Sequence, residues 1–158
     1  VARLPASRPH HGGVPRAVSL RSPSSGPSGL HLDVARGFVI GEVGRVRVRP
    51  RWEAMTATYE YRVLDLDQTE LLVYHWQAGD AFAGPDHPHL HVSAAVRAQV
   101  DAATQRSIDL DKRHLATGRV SLAAVVRMLI EEFAVAPLRH DWRQTLDRVA
   151  ERLGETPP

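Results

Sequence analysis

The 158-residue chain carries 20 Lys and Arg against 18 Asp and Glu, is 43% hydrophobic and has no cysteine. Length and apolar share fit one globular domain. Zero cysteine excludes disulfides and thiolate chemistry, leaving His, Asp and Glu as metal donors, and no run of about 18 apolar residues is present to span a bilayer.

Residues 1–36 read as a disordered basic tail. Residues 1–32 hold Arg3, Arg8, Arg16 and Arg21 without one acid, so the remainder is near neutral and the basic character belongs to the tail. A stretch such as Ser22-Pro23-Ser24-Ser25-Gly26-Pro27-Ser28-Gly29 cannot bury enough apolar surface to offset its conformational entropy. The first 30 residues lack the apolar segment of a secretory signal, and the prolines up to Pro27 oppose a transit-peptide helix. A cytoplasmic protein is expected.

Residues 37–154 read as a single α+β domain: an antiparallel sheet of about four strands packed by two C-terminal helices. The first strand is expected over Phe38 to Arg49, where Val46 and Val48 alternate with Arg45, Arg47 and Arg49, with Pro50 ending it. Thr56 to Leu66 follows, with Tyr59, Tyr61 and Val63 on one face. Asp65 to Thr69 is a turn and Glu70 to Gln77 the returning strand of a hairpin. Gln77 to Pro85 is a loop, His89 to Ala95 a short fourth strand, and 99–118, polar and without clear period, a long loop. Ser121 is a helix N-cap, followed by Leu122, Val125, Val126, Leu129, Ile130 and Phe133 at helical spacing. A second helix spans about Asp141 to Leu153, with Trp142, Leu146, Val149 and Leu153 inward and Gly154 as its stop.

The most distinctive segment is Asp86-His87-Pro88-His89-Leu90-His91. On a strand His87, His89 and His91 share a face, with Cα atoms about 6.6 Å apart for neighbours and about 13 Å for the outer pair. Neighbouring imidazoles can converge on one zinc, but all three only if the strand bends. The metal pair is therefore His89 and His91, with His75 or His114 as a third ligand across the sheet and an open fourth position of catalytic type. A metal-free alternative is RNA cleavage, with His87, His89, His91, His114 and Arg119 as catalytic candidates and Arg113 and Arg119 as nucleic-acid contacts: a His exchanges a proton near neutral pH while arginines hold a phosphate. The plainer reading of Thr117-Gly118-Arg119 is a turn ahead of a capped helix. Tyr59, Tyr61, Tyr74, Trp76 and Trp142 fit core positions better than base-stacking ones.

The order Tyr59-Glu60-Tyr61-Arg62, Glu70 to Trp76, His87-Pro88-His89-Leu90-His91-Val92, then a helix with Leu-Ile-Glu-Glu-Phe resembles the TumE-like family, toxins of bacterial toxin–antitoxin pairs, over about residues 57–133. The chain is similarly close to uncharacterised bacterial families. The resemblance carries over only His87, His89 and His91. Trp76-Gln77 stands where the family has an Asp-Asn pair, and the longer 97–118 segment and second helix are further departures. The first functional expectation is thus a cytoplasmic bacterial protein of toxin–antitoxin type acting on RNA, with an antitoxin or other protein partner and no membrane association. The alternatives are a His-ligated metal-binding protein, with a divalent ion such as zinc, and a non-catalytic protein-interaction module.

Overall fold

The structure is a computed structural model that describes residues 17–46, 49–77, 85–93, 97–101, 106–109 and 113–153. Among the described residues eight strands precede two helices: β1 (Val18–Arg21), β2 (Pro27–Val46), β3 (Arg49–Leu64), β4 (Glu70–Gln77), β5 (His89–Val92), β6 (Arg97–Asp101), β7 (Arg106–Asp109), β8 (Leu115–Ala116), α1 (Leu122–Glu131) and α2 (Trp142–Arg152). Six strands form one antiparallel sheet in the order β1-β2-β3-β4-β5-β8, and β6 and β7 pair separately. The α+β class with two C-terminal helices holds, but the sheet has six strands rather than four.

Two differences enlarge the sheet. From Val18 onward the expected tail is strand, while residues 1–16 lie outside the described residues. The Ser/Pro/Gly run makes the turn between β1 and β2: Ser22 N–H donates to Gly26 O at 2.8 Å, and Ser25 takes the left-handed conformation at φ 65°. Leu20, Leu30, Leu32 and Val34 join the core around it. At the other end, the expected long loop 99–118 holds the end of β6 and all of β7 and β8. Pro50 does not end a strand; it pairs with Arg45 near the start of β3. Residues 78–84 of the expected loop and 94–95 of the expected fourth strand lie outside the described residues.

The β3–β4 turn forms as its sequence dictates. Asp65 Oδ1 accepts from the backbone N–H of Asp67 and Thr69 at 2.9 and 2.8 Å, and Gln68 adopts φ 63°. That turn, with an irregularity between Val63 and Leu64, sets the register Tyr59↔Trp76, Glu60↔His75, Tyr61↔Tyr74, Arg62↔Val73. Because side chains alternate, Leu32, Tyr59, Tyr61, Val63 and Trp76 share one face, which packs against Val125 and Leu129 of α1. Tyr59 and Tyr61 stack with ring centroids 4.8 Å apart, and Tyr59 Oη accepts from the Val120 N–H at 3.1 Å, fixing the chain as it enters α1. Ser121 caps that helix, its Oγ accepting from Ala124 N–H at 3.0 Å. The helices are tied by Arg127 to Asp147 at 2.6 Å and Arg143 to Glu131 at 3.2 Å. Of the residues expected inward on α2, Val149 and Leu153 remain exposed.

Candidate metal centre

With the aromatic face committed to the helices, the opposite face carries Asp33, Glu60, Arg62, Val73 and His75. The register Val73↔His91 and His75↔His89 adds the two β5 histidines, while Leu90 turns to the core side opposite Tyr74. Strand β8 then pairs Ala116 with His89 and Leu115 with Leu90, which brings the preceding His114 beside His91. Ring centroids lie 5.2 Å apart for His75–His89, 4.9 Å for His89–His91, 6.4 Å for His75–His91 and 4.6 Å for His91–His114.

One ring nitrogen from each of His75, His89 and His91 lies within 4.8 Å of the others. A tetrahedral ion with bonds of about 2.0 Å needs ligand nitrogens about 3.3 Å apart, so closure requires side-chain shifts on the order of 1 Å. The three residues thus lie close enough to hold a metal. His89, 2% exposed, is the most buried. Its Nδ1 sits 2.8 Å from the His87 carbonyl oxygen, which can only accept, so Nδ1 carries the proton and Nε2 is left as the ligand atom.

Electrostatics favour neutral rings. Burial pushes the His75 imidazole below its ordinary value; Glu60, its Oε2 3.9 Å from His75 Nε2, opposes that, while His89, Arg62 and His114 add to it. His91 is also lowered, first by burial and then by His114, His89 and His75, against Glu70. Neutral imidazole is the form that binds metals. A cleft of about 530 Å³ opens beside these rings, lined by Glu60, Arg62, Thr69, Glu70, His75 and His91 among others. Arg62 is engaged there by Glu60, by Glu70 at 3.4 Å and by Asp33 at 4.0 Å.

The remaining predicted residues are dispersed. His87 precedes β5, has a side chain 49% exposed and faces Asp86 at 3.6 Å; it supplies the group with its backbone carbonyl. Arg113 is exposed next to His114. Arg119 lies on the opposite face, its guanidinium 4.1 Å from the centre of the Trp76 ring, and does not converge with the imidazoles. Glu60, Arg62 and Glu70 belong to the cleft but were not among the sequence candidates; regular counting back from the Asp65 turn puts Glu60 opposite Tyr74, and the irregularity between Val63 and Leu64 moves it opposite His75. No described helix is long and apolar enough to cross a membrane. No family model matches the chain, and no curated protein or solved structure shows significant similarity to it.

Proposed function

We propose that the chain is a histidine-ligated metal-binding protein in which His75, His89 and His91 hold one divalent first-row transition ion. Zinc suits an all-imidazole set without a demanding geometry. The observation that carries this reading is the convergence of three ring nitrogens from two paired strands within 4.8 Å. With three protein ligands such a site is of the open type, in which a bound ion lowers the pKa of water. Around it the chain's own groups have separate tasks. The His87 carbonyl orients His89, and Glu60 beside His75 orients that ring or accepts a proton. The adjoining cleft gives a small substrate access from one side.

Metal analysis of tag-free protein and zinc titration calorimetry test the proposal. One equivalent is expected, with His75→Gln and His91→Ala each weakening binding by about 100-fold or more, beyond the range of outer-shell changes. A protein that takes up no ion, or variants that bind like the parent, would overturn it.

A second reading, RNA cleavage of toxin–antitoxin type with an antitoxin as partner, rests on a different observation: His91 and His114 stand 4.6 Å apart, with Arg113 next in sequence. A proton donor and acceptor at that separation suits phosphodiester chemistry. Expression of the chain alone is then expected to arrest growth, and His89→Ala with His91→Ala to relieve it. A folded double variant that still arrests growth removes this reading.

A further inference from the structure

On the helix-packed face, the far halves of β2 and β3 extend past their neighbours. Strand β1 pairs with β2 only between Pro27 and Leu32, and β4 with β3 only between Thr58 and Leu64. From Phe38 to Val46 and from Arg49 to Thr56 the two strands therefore form a ribbon without a third strand among the described residues. A ribbon of this kind is marginally stable alone in water and gains from a ligand laid along it.

The ribbon forms one wall of a groove of about 870 Å³; the segment ahead of α1 and the end of α2 form the other. Basic groups concentrate here. Arg51, near the start of β3, lines the groove. The groove adds Arg36, Arg119 and Arg152. Two acids also line it: Glu53, which is paired with Arg51, and Glu151. Stacking surfaces accompany the charge. Trp52 in the groove wall is 50% exposed, and the Arg119 guanidinium lies over Trp76. The apolar flanks at Ile40 and Met55 would suit a protein partner, but such a partner would have to match the groove arginines Arg36, Arg51, Arg119 and Arg152, which a polyanion does by construction.

We infer that this groove and ribbon bind single-stranded nucleic acid, its phosphates meeting Arg36, Arg51, Arg119 and Arg152 and a base stacking on Trp52. A charged groove that follows the backbone, with an aromatic platform beside it, is the arrangement that holds single strands without reading their sequence. The site stands on the other side of the sheet from the histidines and is independent of the metal reading.

Fluorescence anisotropy of the full chain with a labelled single-stranded oligonucleotide of about 16 nucleotides tests this in a chelator-containing buffer, which removes any metal contribution. Binding at low salt is expected, weakened about tenfold by Trp52→Ala. The double variant Arg119→Ala, Arg152→Ala is expected to reduce the log–log salt slope by about 1.4, from about 0.7 per phosphate contact on a single strand. Thermal melts check that the variants fold; Trp52→Phe keeps a stacking ring and is expected to retain affinity in a folded protein. The inference is overturned by absence of binding at low salt, by parental affinity in both folded variants, or by a duplex of the same sequence binding more tightly than the strand. Self-association that excludes the oligonucleotide would equally overturn it, assigning the ribbon to a second copy.

Discussion

The imidazole of His89 has one nitrogen left to offer. Its other nitrogen donates to the His87 carbonyl at 2.8 Å, which fixes the tautomer before any ligand arrives. His87 acts there through its backbone, so His87→Ala is expected to keep zinc affinity within about threefold of the parent, unlike His75→Gln or His91→Ala. Calorimetry on the three variants separates the roles; a large loss in His87→Ala would place its ring among the ligands. The three alternate histidines were legible in the sequence because a strand has a period of two. So was their inequality, because Pro88 starts the strand at His89 and leaves His89 and His91 as the pair. His75 is a partner only through the register that the Asp65 turn imposes on β3 and β4. For the same reason Glu60 could not be singled out from local pattern: its chemistry comes from the residue opposite it, 15 positions further along the chain.

Helices α1 and α2 were legible nearly to the residue, since apolar spacing, the Ser121 cap and polar outer faces locate them, although Val149 and Leu153 of the expected inward stripe stay exposed. Ser121→Ala removes the acceptor for the Ala124 N–H and is expected to lower stability by about 1 kcal/mol in urea unfolding. The far end of α1 is less well served by its sequence. Val135 N–H closes back onto Leu129 O at 3.0 Å, and Ala134 must take φ 52° to allow it. Glycine has no steric penalty there, so Ala134→Gly is expected to raise stability by about 0.5–1 kcal/mol despite its larger unfolded-state entropy. An unchanged or lower urea midpoint would show that this turn relaxes without glycine. Strand β1 and the start of β2 were illegible because Ser, Pro and Gly serve disordered tails and tight turns alike. What distinguishes the two here is the burial of Leu32 against β3, a contact between residues 31 positions apart. The β6–β7 pair lacks apolar alternation, the signal by which strands are recognised, and its existence rests on pairing alone.

At the scale of the molecule, one sheet separates two chemistries: an aromatic face closed by helices and a histidine face beside an open cleft. The histidine face makes stability depend on protons and, on the proposed reading, on metal as well, and the two can be told apart. His75 and His91 both titrate below the ordinary histidine value of about 6.5 in the fold, chiefly because they are buried. The unfolded chain therefore binds more protons than the folded one once pH drops towards 6.5 and below, and stability must rise with pH through that window. The metal-free protein is expected to melt at a higher temperature at pH 7.5 than at pH 5.5, with no further rise above the unfolded histidine value. Replacing His75 by Gln removes one of the two contributions and is expected to flatten the dependence. On the proposed reading zinc adds a second, steeper term, because it would bind the neutral rings and compete with the same protons. At a free concentration of about 100 times the dissociation constant it stabilises by about 2.7 kcal/mol. That gain is expected at pH 7.5 and is expected to be largely lost at pH 5.5. Differential scanning calorimetry with and without zinc at the two pH values measures both terms. A zinc-induced shift of the same size at both would mean that the ion binds groups other than these imidazoles. A metal-free midpoint independent of pH would mean that their rings are not held apart from water as the packing of β4 against β5 requires.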